Sequence, residues 1–205
     1  IVDDVRRVAE CSRPGTLITD VGSVKFSICS ELENGLPAGV HFVGSHPLAG
    51  SEKRGFEVAD PNLFEGRATV VTPTDSTEAA DLERVKRFWE SLGSRVVLMP
   101  PGDHDDALAT TSHLPHVVAA ALATLLTDDQ RQLAATGFRD TTRIAAGDPD
   151  LWVAILMGNA ESVESSFLKF EKSFGDFRDA LRNRDADRLR QLLDAAKTRR
   201  DSLRS

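Results

Sequence analysis

The hydrophobic pattern of this chain changes near residue 100, and that change restricts the fold more than any other feature of the sequence. Up to that point, stretches with apolar residues at helical spacing alternate with short runs rich in β-branched residues. Such alternation predicts βαβ units and a largely parallel sheet. From about residue 103 onward the pattern predicts helices only. We therefore expect an α/β domain over residues 1–102, followed by an all-helical domain over residues 103–205.

The first part has the punctuation that this fold requires. Val2, Val5 and Val8 predict a helix that ends before Pro14-Gly15. Further helices are predicted over residues 24–33 and from about residue 76 to Gly93. Between the helices, β-rich runs predict four strands, at residues 16–20, 40–44, 67–72 and 95–99.

The second part contains helix signals of three kinds. A helix predicted over residues 103–126 is interrupted at Pro115, because proline supplies no N–H to the helical ladder. Asp148 followed by Pro149 is typical of an N-cap and a first helical position. Six apolar residues then alternate steps of four and three along the chain: Val163, Phe167, Phe170, Phe174, Phe177 and Leu181. This period is typical of a helix packed along another helix, which can belong to the same chain or to a second copy.

Charge and composition exclude several classes of partner. The sequence has 25 Lys+Arg and 32 Asp+Glu, for a net charge of −7, which is the wrong sign for a protein that binds nucleic acid. No apolar run approaches the roughly 20 residues that span a bilayer, and no signal segment opens the sequence. We therefore expect a cytoplasmic protein without a membrane partner. Cys11 and Cys29 lack metal-site spacing and are expected to lie in the core.

Two polar clusters directly follow predicted strands. Residues 19–25 read Thr-Asp-Val-Gly-Ser-Val-Lys, and they place Ser23 at a helix start, where the ligands of open α/β sheets bind. A plain N-cap role is the alternative for Ser23. Residues 44–53 read Gly-Ser-His-Pro-Leu-Ala-Gly-Ser-Glu-Lys. His46, held between a strand end and a proline, is placed to face a cleft and accept a proton at neutral pH, although a structural role is equally open.

Two further clusters lie in the helical part. Residues 112–116 read Ser-His-Leu-Pro-His, with His113 and His116 on one helix face. A metal site would need a third ligand that the sequence does not place, so substrate contact or an internal hydrogen bond is expected. Residues 137–144 read Gly-Phe-Arg-Asp-Thr-Thr-Arg-Ile, in which Arg143 is a candidate for binding a carboxylate through its guanidinium group.

In this order, the four motifs resemble those of the prephenate/arogenate dehydrogenase family of tyrosine biosynthesis. The motifs extend from about residue 16 to residue 152, and the similarity covers the whole chain, because family members continue into a helical dimerisation domain. The resemblance implies that residues 1–102 are the later strands of a partial Rossmann-like parallel sheet. It also implies that residues 103–205 bind substrate and form a homodimer through C-terminal helices.

The resemblance further implies an NAD(P)-dependent oxidative decarboxylation of prephenate or arogenate. By this resemblance, His46 hydrogen-bonds the ring hydroxyl and takes its proton, Ser23 orients that hydroxyl and the histidine beside the nicotinamide, and Arg143 binds a substrate carboxylate. The other substrate-binding positions are His116, Glu52, Trp152, Gly137 and Asp140, and the cofactor-binding positions are Asp20, Gly22 and Ser23.

The sequence departs from the family in two respects. Ala135-Thr136-Gly137 stands where many family members are richer in glycine, which affects the lining of the substrate pocket, and the second departure concerns the cofactor. No three of its 14 glycines have GxGxxG spacing, so the pyrophosphate-binding turn is missing, as is the acidic residue that would bind the ribose. The sequence also starts at Ile1 without Met. We therefore expect a fragment that binds NAD or NADP weakly or not at all and is inactive alone. A non-catalytic dimerisation or regulatory module derived from the family is the alternative.

Overall fold

A computed structural model describes residues 1–50, 57 and 59–204. The elements of the α/β part are α1 (Val2–Glu10), β1 (Leu17–Ile18), α2 (Phe26–Leu32), β2 (His41–Phe42), β3 (Gly44–Pro47), β4 (Ala68–Thr72), α3 (Ala79–Ser91) and β5 (Arg95–Leu98). The helices that follow are α4 (Pro101–Leu108), α5 (Leu114–Ala123), α6 (Thr136–Thr142), α7 (Pro149–Gly158), α8 (Ala160–Arg182) and α9 (Ala186–Asp201). Compact unit one is Ile1–Val163 and unit two is Glu164–Ser205, so that α8 contributes residues to both.

The strands form two small sheets. β1 pairs in parallel with β2, and β4 pairs in parallel with β5. Helix α2 connects the first pair and α3 the second, which confirms the predicted βαβ units. β3, in contrast, runs antiparallel to β4, with Ser45 opposite Val71.

The largely parallel pairing is confirmed, because two of the three strand pairs are parallel, but the described strands differ from the expectation in two details. The strand predicted over residues 40–44 is divided between β2 and β3, which belong to different sheets, and β3 has the opposite direction to β4. The physical reason is that a short apolar run looks the same whichever way its strand runs, so the pattern reports burial and not direction.

The core of the α/β part lies where β3 and β4 meet α3. Val43, Val71, Val85 and Trp89 are buried together there, and the Trp89 indole N–H donates to Ser45 Oγ at 3.0 Å. Gly44 is required at the start of β3, because a Cβ at that position would lie 2.7 Å from Cys29 Sγ and even closer to Thr72 Oγ1.

Cys29 is buried as expected, whereas Cys11 is exposed, so its predicted core position is wrong. Cys11 follows the last residue of α1; its backbone N–H donates to the Val8 carbonyl at 3.2 Å, and the Ser12 N–H donates to the Ala9 carbonyl at 3.0 Å. A chain that leaves a helix end at the surface carries its side chain there whatever its hydrophobicity.

The helical part confirms two local predictions. Among the described residues, no strand follows Leu98. Residues 109–113 form a π-helical turn between α4 and α5, directly before Pro115, whose missing N–H cannot complete an ordinary helical turn. Asp148 caps α7, accepting the Leu151 N–H at 3.0 Å, and Pro149 is the first residue of that helix. Searched over the described residues, the helices include none with the length and apolarity needed to cross a membrane.

Helix α8 carries the six apolar residues of the 3.5-residue period. Val163 is buried, Phe167, Phe170 and Phe177 are half-buried, and Phe174 and Leu181 are exposed at 62% and 63%. Within the second unit, Asp185 caps α9 by accepting the Arg188 N–H at 2.9 Å, and Arg188 forms an ion pair with Asp176 of α8.

Candidate active site

A cavity of about 760 Å³ lies in the first unit, where β3 meets the π-helical turn and the start of α7. Its lining includes five residues from different parts of the chain: Ser23, His46, His113, Arg143 and Trp152. Four of these five were predicted as site residues from the sequence, and the fold brings them to one cavity although they span 130 positions of the chain. A cavity of this size with a few polar groups among apolar walls is typical of a small-molecule site.

His46 reaches the cavity from β3, and Ser23 from the segment that joins β1 to α2. His46 is half-buried whereas the preceding Ser45 is fully buried, because successive side chains of a strand point to opposite faces. Ser23 is not the N-cap of α2, since that position is held by Lys25. The alternative of a plain N-cap role for Ser23 is therefore wrong.

Behind His46 lies a chain of hydrogen bonds that ends on a carboxylate. His46 Nδ1 is 2.9 Å from His104 Nε2, and His104 Nδ1 is 2.7 Å from Asp105 Oδ1. His104 is completely buried and Asp105 is 4% exposed. The cavity-facing histidine is thus connected through a second histidine to an acid that has almost no access to water.

Asp105 also anchors the start of α2. Its Oδ1 accepts the backbone N–H of Lys25 at 2.8 Å, and its Oδ2 accepts that of Phe26 at 2.9 Å. Burial raises the pKa of Asp105, but the hydrogen bonds from His104, Phe26 and Lys25 outweigh it, and the pKa lies below its usual value. Asp105 is therefore ionised at neutral pH.

A second buried network, formed by Lys25 and Asp20, holds the backbone of β3 at Ser45. The fully buried Lys25 ammonium forms an ion pair with Asp20 and donates to the Ser45 carbonyl at 3.0 Å. Asp20 also accepts the N–H groups of Gly22 at 2.9 Å and Ser45 at 3.0 Å. Burial lowers the pKa of Lys25, and the Asp20 carboxylate offsets this in part. Both oxygens of Asp20 are engaged internally, and neither Asp20 nor Gly22 lines the cavity, so their proposed cofactor contacts stay a prediction.

Burial, followed by the neighbouring His104 and Lys25, lowers the pKa of His46 from its usual 6.5 to about 3. The imidazole is therefore neutral at physiological pH, which is the state that accepts a proton.

Trp152 lines the cavity and stacks on His116, which is not itself part of the lining. The rings of His116 and Trp152 are nearly parallel, at 13°, with their centroids 3.5 Å apart. Gly147 makes this stack possible, since a Cβ at that position would approach Trp152 Cδ1 to 2.9 Å and His116 Cε1 to 3.1 Å. Within the described part of the chain, the buried His116 Nδ1 has no hydrogen-bond partner. Burial lowers the pKa of His116, which favours the neutral ring.

His113 is buried beside the same cavity, and its Nδ1 lies 3.2 Å from Asn159 Nδ2. The internal hydrogen bond, one of the two alternatives for this histidine, is thus present. Burial lowers the pKa of His113 to about 4.

Of the predicted substrate-binding residues that the structure describes, His116, Gly137 and Asp140 do not line the cavity. Gly137 and Asp140 are exposed on α6, outside its lining. Glu52 lies outside the described residues. Their assignment to substrate binding stays a prediction.

Sequence reasoning missed His104, Asp105 and the buried role of Lys25. His104 and Asp105 occur in Pro-Pro-Gly-Asp-His-Asp-Asp, where acidic residues after a proline are typical of the first turn of a solvated helix. The signal that was present is the histidine itself, since a His-Asp pair in the first turn of a helix next to a strand end is unusual. The hydrogen-bond partners of the His104 and Asp105 side chains outside this segment lie 58 to 80 positions away in sequence.

The fold and the cavity together define an α/β protein whose strand-end histidine faces a small-molecule site completed by helices. The family model for the prephenate dehydrogenase nucleotide-binding domain matches residues 2–98, and the model for the prephenate dehydrogenase dimerisation domain matches residues 100–195. The chain belongs to the prephenate dehydrogenase family, which confirms the predicted family and the α/β-then-helical fold class.

Curated relatives and solved structures agree with this assignment. The chain is 35% identical to prephenate dehydrogenase from Bacillus subtilis over 91% of its own length and 52% of that protein, and 34% identical to cyclohexadienyl dehydrogenase from Zymomonas mobilis over 89% of its own length and 64% of that protein. It thus spans less than two thirds of these relatives.

Among solved structures, prephenate dehydrogenase from Aquifex aeolicus, in complex with hydroxyphenyl propionate and NAD+, is similar with a TM-score of 0.89 and 36% identity, over 98% of this chain and 73% of that one. Synechocystis arogenate dehydrogenase is similar with a TM-score of 0.83 and 29% identity, over 99% of this chain and 75% of that one.

Proposed function

We propose that the protein catalyses the NAD(P)-dependent oxidative decarboxylation of prephenate to 4-hydroxyphenylpyruvate. The observation that carries the proposal is the joint position of His46, Ser23 and Arg143 on one cavity. A neutral base and a guanidinium cation across a pocket of this size fit a substrate that has both a reacting hydroxyl and a carboxylate.

The residues fit the nicotinamide end of a dinucleotide, because Ser23 places a hydroxyl beside His46 at the cavity wall. They do not include a glycine-rich turn for the pyrophosphate. Bound NAD(P)+ would supply the acceptor for the hydride that leaves the carbon bearing the ring hydroxyl.

We assign His46 as the base that accepts the proton of that hydroxyl. As the hydride leaves, the C–O bond gains double-bond character, and His46 withdraws the hydroxyl proton. Carbon dioxide then leaves the opposite ring carbon, its bonding electrons make the ring aromatic, and the proton returns to the oxygen of the phenol. The depressed pKa of His46 keeps the imidazole neutral, which is the form that accepts a proton, and also makes it a weaker base than an unperturbed histidine.

The aromatic stack of His116 and Trp152 forms an apolar surface beside the cavity. A flat ring that becomes aromatic packs well against such a surface, and the half-buried Trp152 supplies it from α7. The stack therefore complements the product side of the reaction as well as the substrate.

Arogenate is the second candidate substrate, because the chain is also similar to Synechocystis arogenate dehydrogenase. Prephenate carries a keto group where arogenate carries an amine. Besides His46 and Arg143, the ionisable groups in the described lining of the cavity are those of Asp148 and His113.

Turnover by the full-length protein tests the proposal. NADH or NADPH formation should be followed with prephenate and with arogenate, each paired with NAD+ and with NADP+. We expect turnover with prephenate and at least one cofactor, with release of carbon dioxide in equal amount. Turnover with arogenate alone would reassign the substrate, and turnover with neither would favour the non-catalytic module.

We further propose that the protein is a homodimer through its C-terminal helices. Support comes from the match of residues 100–195 to a dimerisation domain and from the exposure of Phe174 and Leu181 on the apolar period of α8. Phe174→Asp should shift the sedimentation coefficient from dimer to monomer, whereas Lys172→Asp, on an exposed position of the same helix, should not. An unchanged dimer in Phe174→Asp would place the interface elsewhere.

A further inference from the structure

The further inference concerns the pair of buried residues behind His46. We propose that His104 and Asp105 are positioning residues that fix the tautomer of His46, so that its Nε2 presents an unprotonated lone pair to the cavity. This inference rests on the proposed function, in which His46 accepts the hydroxyl proton.

The carboxylate of Asp105, at the buried end of the chain of hydrogen bonds, determines where the protons lie. An ionised carboxylate can only accept, so the proton in the 2.7 Å contact with Asp105 belongs to His104 Nδ1. In a neutral imidazole only one nitrogen carries hydrogen, and His104 Nε2 is then an acceptor. His46 Nδ1 lies 2.9 Å from it and must donate, which leaves His46 Nε2 without hydrogen.

For a neutral His104, the opposite arrangement is excluded by the surroundings of Asp105. If His46 carried its proton on Nε2, then His104 would donate from Nε2, and its unprotonated Nδ1 would face a carboxylate oxygen. Two acceptors at that distance repel each other unless Asp105 is protonated. Protonation is opposed by the backbone N–H groups of Lys25 and Phe26, which donate to both oxygens of Asp105. A His104 imidazolium would instead donate from both nitrogens and leave hydrogen on His46 Nε2, which is the result that would overturn the proposal.

The same chain orients the ring as well as the proton. His104 has no exposed surface, and Asp105 accepts hydrogen bonds from α2 while its backbone carbonyl accepts Asn159 Nδ2 at 2.7 Å. The hydrogen-bond partner of His46 is therefore fixed in place, because Asp105 is bonded both to the start of α2 and to Asn159 at the end of α7. The ionised Asp105 also stabilises positive charge that develops on the two imidazoles when the proton arrives.

The tautomer of His46 can be measured directly, without turnover. Long-range ¹H–¹⁵N correlation spectra of the histidine-labelled protein near neutral pH distinguish hydrogen on Nδ1 from hydrogen on Nε2, and the spectrum of His46→Gln assigns the signals. We expect hydrogen on Nδ1 of both His46 and His104. Hydrogen on Nε2 of His46 would overturn the proposal.

Two substitutions at residue 104 then separate positioning from packing. His104→Phe keeps a buried ring but removes the acceptor, and we expect the His46 tautomer to become mixed and kcat of the full-length protein to fall at least about tenfold, with KM within about twofold. His104→Gln can still accept from His46 and donate to Asp105, so it should retain more of the Nδ1–H tautomer and more of kcat than His104→Phe.

The control is His41→Phe, which removes a histidine from the separate His41–Asp81 pair and should leave the His46 signals unchanged. Loss of turnover in His104→Phe with an unaltered His46 tautomer would contradict the proposal, as would equal tautomer populations in the two residue 104 variants. The spectra need no substrate, so the two proposals can fail separately. If the protein shows the expected His46 tautomer but no turnover, the proposed function is wrong and the positioning role of His104 and Asp105 still holds.

Discussion

Replacing His46 with Asn is expected to lower kcat of the full-length protein by about 10²- to 10⁴-fold, the usual contribution of a general base. The Asn amide can donate to His104 Nε2, which lies 2.9 Å from His46 Nδ1, so the proposed hydrogen bond behind residue 46 is retained. What is lost is the second nitrogen, which faces the cavity. Steady-state kinetics with prephenate, together with circular dichroism to verify folding, measure the effect.

A matched control for this change is His41→Asn. His41 is also a strand histidine, on β2, but it does not line the cavity of about 760 Å³, and turnover should stay within a few-fold of wild type. If His46→Asn were equally active, His46 would not be the base.

The pH dependence gives the same prediction a second measurement. The pKa of His46 is lowered to about 3, so the neutral form persists as pH falls through its ordinary value near 6.5. Protonation of His46 should therefore cause no loss of kcat/KM in the free protein between about pH 7 and pH 5. An acid limb near 6.5 that disappears in His46→Asn would show that the ring titrates normally.

The local part of the site was predictable from the sequence, because strand ends and helix starts leave short-range signals. Asp148-Pro149 predicted the start of α7, whereas Gly-Ser-His-Pro predicted His46 just beyond a strand and the structure has it inside β3. Pro115 predicted an interruption of the helix, which the structure shows as the π-helical turn, because one missing N–H has a local effect. The family resemblance then connected motifs that periodicity alone could not relate.

The remainder depends on pairs that are distant in sequence. Asp105 is bonded to residues 79 and 80 positions earlier, and nothing in the acidic run around it marks it as buried. The direction of β3 is likewise a tertiary property, decided by its pairing with β4 rather than by its own four residues. Long-range electrostatics and strand direction are set only when the chain is folded, so neither is encoded in a local pattern.

Arg143→Ala is expected to raise KM for prephenate about 10- to 100-fold, with a smaller effect on kcat. Hydrogen bonds to charged groups contribute about 1.5–3 kcal/mol each, and about 1.4 kcal/mol corresponds to tenfold in affinity. Arg143 lies in the 3₁₀ turn after α6 and lines the cavity, where its planar fork can bind a substrate carboxylate through two parallel bonds. A carboxylate held equally in the ground and transition states affects KM more than kcat.

Two further variants make this measurement specific. Arg143→Lys keeps the charge but loses the fork, so its KM should lie between those of the wild type and Arg143→Ala. Arg139→Ala removes a neighbouring arginine on α6 that donates to the Ala134 carbonyl at 3.0 Å and does not line the cavity, and its KM should stay within about twofold of wild type. The same order is expected for the affinity for prephenate, which calorimetry measures without the cofactor and therefore without turnover. An unchanged KM in Arg143→Ala would move the carboxylate site away from this turn, and a fall in kcat alone would mean that Arg143 acts only in the transition state.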